Sequence, residues 1–145
     1  MKEITVPANL DSIAVVTDFI NAELETVNCS ERDRIQIDVV VDEVFGNIAK
    51  YAYDQEEGDA TLLVEVSDEP CAISITFSIT FIDHGKPYNP LDNYKTPDTT
   101  LKAKERKIGG LGVYMTKKIM DEVSYEYKDQ CNRLTIRKMI TKEIN

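Results

Sequence analysis

Ile73, Ile75, Phe77, Ile79 and Phe81 alternate strictly with other residues through the stretch CAISITFSITFID. A period of two sets all five on one face of an extended segment, which predicts a strand with one buried face. The chain must therefore supply a layer to cover that face. KEITV at 2–6 reads as a short edge strand closed by Pro7. Asn9 is placed to cap a helix from about Leu10 to Val27, with Leu10, Ile13, Thr17, Ile20 and Leu24 at helical spacing. Ser30, with Asp33 three residues on, opens a second helix that runs to about Tyr53. ATLLVEVSD reads as a strand after the turn at Gly58. Residues 84–108, with Pro87, Pro90 and Pro97, read as a long loop. VYMTKKIMDEV reads as a third helix, and SYEYKD and NRLTIRKM as a hairpin across Asp129–Asn132. The order β-α-α-β-β-loop-α-β-β predicts a two-layer α/β (α+β) sandwich. Its sheet is mixed and mostly antiparallel, with three main helices on one face, and it is not a doubly wound parallel fold.

The chain has 145 residues, enough for one domain with its own core, and is read as a single domain over 1–145. No apolar run is long enough for a membrane span, and the first residues lack the apolar stretch of a signal peptide. Cys29, Cys71 and Cys131 are far apart and odd in number, which fits a reducing cytoplasmic setting and disfavours a disulfide framework or structural zinc. Net charge is −9, so binding to a nucleic-acid backbone is disfavoured. The charge is unevenly divided. Residues 1–85 carry −14, residues 86–118 carry +5, and the remainder is neutral. The basic island fits a solvated Lys-rich loop as well as an anion-binding segment.

Four of the six glycines fall at Gly85 and in the run Gly109, Gly110, Gly112. Glycine gathers where backbone approaches a ligand or takes positive φ. The Gly-Gly-Leu-Gly run precedes a predicted helix, whose free N–H groups and positive dipole end suit an anion. It equally fits a hinge and a helix start, and it lacks the Lys-Ser/Thr of a Walker loop. Glu43 and Asn47, four apart, share one face of the second helix and could set a base beside an oxygen ligand for Mg²⁺. Such pairs commonly face solvent, but VVVDEVFGNIA is too apolar for a fully wet face. Asp83, at the end of the alternating strand, either caps a turn or accepts a hydrogen bond from an exocyclic amine.

Glu-x-x-x-Asn on a helix, Asp-x-Gly-x-Pro after a strand and Gly-Gly-Leu-Gly before a helix, in this order, resemble the GHKL ATPase superfamily. Within it, DHGKPYNPL (83–91), ERKIGGLGV (105–113) and MDEVSY (120–125) resemble the bacterial anti-sigma-factor serine/threonine kinases. The resemblance runs from about Val6 to Lys138. It implies that Glu43 is the general base and that Asn47 holds Mg²⁺ bridging the phosphates. Asp83 would accept from the adenine amino group, and Gly85 would let backbone approach the base. Gly109, Gly110, Leu111 and Gly112 would present backbone to the phosphates. Residues 90–108 would form a lid over ATP, with one of Lys102, Lys104, Arg106 and Lys107 on the γ-phosphate. Pro87 stands where sensor histidine kinases usually carry a second glycine, which favours the serine-kinase branch. Asn132 or Thr135 is the nearest candidate for a further adenine contact.

The sequence departs from the family at Tyr51, where histidine is common. The one histidine, His84, lies between adenine-site residues, so phosphohistidine signalling in cis is not expected. The resemblance implies an ATP- and Mg²⁺-dependent protein kinase. Its substrate would be an anti-sigma-factor antagonist and a second partner a sigma factor, with the kinase working as a cytoplasmic homodimer away from nucleic acid and membrane. A non-catalytic, ATP-gated binding module would use the same motifs. Retention of Glu43 favours catalysis, since a pure binder needs no base.

Overall fold

The alternating stretch forms a central strand in a computed structural model of the chain, which describes residues 1–54, 56–67, 73–93 and 110–141. In chain order the elements are β1 (Lys2–Pro7), α1 (Ile13–Thr26), α2 (Glu31–Tyr51), β2 (Asp59–Ser67), β3 (Ser74–Asp83), α3 (Gly110–Ile119), β4 (Glu122–Lys128) and β5 (Cys131–Thr141). Single 3-10 turns precede α1 at Leu10–Ser12 and follow β3 at Pro90–Asn93. The five strands form one sheet in the order β1-β2-β3-β5-β4. The sheet expected to be mixed and mostly antiparallel is antiparallel at every described pairing.

Register aligns the inward side chains in rows. Val64, Ile79, Ile136 and Val123 make one row, and Leu62, Phe81, Leu134 and Tyr125 the next. In β3 the buried positions are Ile75, Phe77, Ile79, Phe81 and then Asp83, so the apolar series ends on a carboxylate at the same parity. Val16, Ile20 and Leu24 of α1 and Ile37, Val40, Val41, Val44 and Phe45 of α2 belong to the same buried cluster as the inward strand residues. Fully burying a side chain such as Phe45 or Phe81 contributes about 1.5–3 kcal/mol each. The opposite face keeps Thr61, Thr76, Ser78, Thr80 and Thr135 only partly buried, as a sheet covered on one side allows.

Several boundaries differ from the sequence expectation. Ile73 precedes β3 and is 81% exposed, because the strand starts at Ser74. Asn9 makes no side-chain cap bond, and the helix proper begins at Ile13 after the 3-10 turn. Ser30 does cap α2, its hydroxyl accepting from the Asp33 N–H at 3.1 Å, and α2 stops at Tyr51 rather than Tyr53. The third helix starts at Gly110, not Val113, so Gly-Leu-Gly is its first turn rather than the loop before it. Val123, expected at the helix end, lies in β4. The last hairpin turns on Asp129 and Gln130 at φ 53° and 62°, the left-handed pair of a two-residue turn matched to strand twist.

Candidate functional site

A cavity of about 600 Å³ lies between α2, α3, the C-terminal end of β3 and the β4–β5 hairpin. One wall is the α2 stripe Glu43, Asn47 and Tyr51, spaced four apart, with Val44, Ile48 and Ala52 beside it. From Glu43 to Ala52 this wall runs about 13 Å at the helical rise per residue. Phe81 and Leu134 come from the sheet, Tyr88 and Leu91 from the segment after β3, and Val113 and Thr116 from α3. The walls are mostly apolar, and polarity gathers at two places: Asp83 and Asn132 from the sheet, and Glu43 and Asn47 from α2.

Asp83 is buried, and its Oδ1 accepts from the Gly85 N–H at 2.9 Å and from Asn132 Nδ2 at 3.0 Å. No described bond falls on Oδ2, so that oxygen remains as an acceptor for whatever enters. The buried Asn132 joins several pieces. Its Nδ2 also donates to the carbonyls of Lys86 at 2.9 Å and Gly85 at 3.3 Å. Its Oδ1 accepts from the Tyr88 N–H at 3.0 Å and from the Tyr125 hydroxyl. An amide offers two N–H donors and one carbonyl acceptor, so these partners occupy its bonding capacity. Asn132 therefore fixes Asp83 and the 85–88 segment. Thr135 lies on the opposite sheet face, paired with Thr80 at 3.0 Å, and does not line the cavity.

Gly85 and Pro87 do not line the cavity themselves. A methyl at Gly85 would overlap the backbone carbonyl of Ala52, so glycine lets this segment pack against the end of α2. Lys86 and Tyr88, on either side of Pro87, do face the cavity. Tyr53 braces the same corner: its hydroxyl donates to the Asp59 carbonyl at 2.6 Å and accepts from the His84 N–H at 2.8 Å. Burial pushes the Tyr53 and Tyr125 phenols above the usual tyrosine value, which keeps both as neutral donors.

At the other end, Asn47 Nδ2 donates to Glu43 Oε1 at 3.2 Å, which leaves the Asn47 carbonyl oxygen for another partner. Gly112 sits directly against Glu43, and a methyl there would overlap the Glu43 carboxylate. The first turn of α3, Gly110, Leu111 and Gly112, thus arrives beside Glu43 with the N–H groups a helix start leaves unpaired. Its first turn carries no acid, while its last carries Lys117 and Lys118, in line with the helix dipole. Lys107, Gly109, the basic residues 102, 104 and 106, and residues 94–108 of the expected lid lie outside the described residues.

Residues 6–138 match the family described as the histidine kinase-like ATPase domain. The chain belongs to that family. As a histidine kinase-like ATPase it has an ATP-using function of the kinase or ATPase kind. No curated protein matches the chain. The residues present fit ATP: the cavity lies within the usual range for small-molecule sites, about 300–1,000 Å³, with a buried acceptor near one end and helix N–H groups near the other. They also fit Mg²⁺ in the way that ion is usually held: the Asn47 carbonyl, left over by the bond to Glu43, would serve with phosphate and water oxygens. No helix among the described residues is long and apolar enough to cross a membrane.

The sequence pattern brings out Glu43, Asn47, Asp83 and the α3 start; the structure sets Glu43, Asn47 and Asp83 around the larger cavity and brings Gly112 of the α3 start against Glu43, at an adjoining groove. It does not bring out Tyr53, Tyr88 or Tyr125. Asn132 carries one usable signal, its parity with the inward Leu134 and Ile136, whereas its pairing with Asp83 comes only from the sheet register.

Proposed function

We propose that this histidine kinase-like ATPase is a protein serine/threonine kinase acting as a regulatory switch, an anti-sigma factor that phosphorylates its own antagonist. The observation that carries the reading is the position of Glu43. A carboxylate lines the cavity, stands against the first turn of α3 and is held by the Asn47 amide. Bound Mg-ATP supplies the phosphoryl group and the charge that the chain does not. Glu43 orients the acceptor hydroxyl and takes its proton, Asp83 and the wall of Ile48 and Leu134 seat the base, and the α3 N–H groups hold the phosphates. Phosphoryl transfer needs little more than such positioning and charge neutralisation. On this reading the protein acts in the cytoplasm as a homodimer joined through β1 and α1. A sigma factor is its second partner.

The test is incubation with Mg-ATP and an anti-sigma-factor-antagonist protein from the same genome, read as a mass gain of one phosphate on the antagonist. Wild type transfers. Glu43→Ala loses about 10²–10⁴-fold in rate, the usual worth of a general base, and keeps ATP binding. Tight ATP binding by wild type with no transfer to any such antagonist would instead support the ATP-gated binding module.

A further inference from the structure

A second cavity, about 270 Å³, opens on the same carboxylate from between α2 and α3. Glu43 and Thr116 line both spaces. The remaining lining is Val39, Val40 and Asp42 from α2 and Gly112 and Met115 from α3. If ATP fills the larger space, an acceptor hydroxyl must reach Glu43 from elsewhere, and this groove gives such an approach.

The surface leading to it is unusually apolar. Ile35 and Val39 precede Glu43 at intervals of four, so all three lie along one helical face. Ile35 is 50% exposed, Val39 41% and, across the groove, Met115 42%. Of the three consecutive valines, Val40 and Val41 fill the core and Val39 does not. A β-branched side chain on a wet helical face adds nothing to helix propensity over alanine or glutamine. Single exposed apolar residues need no explanation, but Ile35 and Val39 along α2, with Met115 across the groove, form a patch that leads toward a carboxylate.

We infer that the α2–α3 groove is the docking site for the acceptor protein. It takes a surface loop that presents its serine or threonine beside an aliphatic side chain. The aliphatic group covers Val39 and Met115 while the hydroxyl reaches Glu43. The exposed Asp42 at the rim favours a basic neighbour in that loop. After transfer, Asp42 and Glu43 repel the new phosphate and promote release of the product. This inference rests on the kinase reading above, and its test separates the two.

The variant is Ile35→Gln with Val39→Gln, which keeps good helix formers on an exposed face. With the antagonist that wild type phosphorylates, KM for the antagonist should rise about tenfold, a shift within reach of two lost apolar contacts. The rate at saturating antagonist and the affinity for Mg-ATP should stay within about twofold. Val39→Ile, which keeps an apolar surface, should hold the wild-type KM. If wild type transfers and the double variant keeps its KM, the docking inference falls and the kinase reading stands. If wild type transfers nothing, both fall. A variant that only changes from oligomer to monomer in sedimentation would show that the face joins copies of this chain, which also overturns the inference.

Discussion

Asn132→Ala removes an amide that joins five groups. The buried Asp83 carboxylate keeps only its bond from the Gly85 N–H, and the Gly85 and Lys86 carbonyls, the Tyr88 N–H and the Tyr125 hydroxyl lose a partner each. A bond to a charged group contributes about 1.5–3 kcal/mol and a neutral one about 0.5–1.5 kcal/mol. Water from the adjoining cavity re-satisfies some of these groups, and neighbouring bonds do not add simply. The net loss should be about 3 kcal/mol, large for a domain whose whole stability is about 5–15 kcal/mol. Urea unfolding measures it as a fall in midpoint at unchanged slope. With Asp83 and the 85–88 segment released, ATP affinity read by titration calorimetry should fall at least tenfold. Thr135→Ala, three residues along the same strand but on the other face, should change stability by no more than about 1 kcal/mol and leave ATP affinity unaltered. If Asn132→Ala binds ATP within twofold of wild type and keeps its urea midpoint, the bracing role assigned to this amide is wrong.

Gly112→Ala places a methyl where the Glu43 carboxylate stands, so the side chain must turn aside. On the proposed kinase reading, the transfer rate should fall by about 10²-fold, while thermal unfolding shifts little. Gly46, in the middle of α2, meets no atom within 4 Å of an added methyl, so Gly46→Ala should add about 0.5–1 kcal/mol of stability and raise Tm by about 2–4 °C. Asp38 has its carboxyl pushed above the ordinary value by burial, which outweighs the opposing pull of the nearby Asn21 amide and of Arg34. A raised native value gives stability that is present below the unfolded value and lost as pH rises through the native one. Asp38→Asn removes that loss. Urea midpoints should therefore match wild type near the ordinary carboxylate range, about pH 4, and exceed it at neutral pH.

Much of the fold is legible because burial imposes a period. The run from Ile75 to Phe81 gives a one-sided strand, and continuing its parity by one step reaches Asp83, the buried carboxylate of the cavity. The spacing of Glu43 and Asn47 likewise holds as one helical face. What the pattern does not carry is pairing at a distance. That Asn132 meets Asp83 depends on β5 lying beside β3, and no local signal sets that register. The start of α3 at Gly110 is hidden for a different reason: glycine is a poor helix former, so Gly-Leu-Gly reads as loop until its packing shows that a side chain at Gly112 would displace the Glu43 carboxylate. Leu10 and Ile73 mislead because an apolar residue at the right spacing just beyond an element looks the same as one inside it.

The placement of β5 between β3 and β4 also has a consequence for how the chain reaches its working form. Ser74 pairs with Thr141, and Asp83 with Asn132, so the carboxylate that faces the cavity acquires its amide partner only when residues far along the chain arrive. During synthesis β1, β2 and β3 can zip together as soon as β3 emerges, leaving one edge of β3 open and Asp83 half-satisfied until the last hairpin docks. Contacts of such long sequence separation slow folding. Nucleotide should therefore act on the final step of folding, recognising chains in which the hairpin has closed and ignoring those in which it has not. Added ATP would then slow the opening of the β4–β5 hairpin, seen as protection of its amides from hydrogen exchange, well before it altered the exchange of β1 and β2.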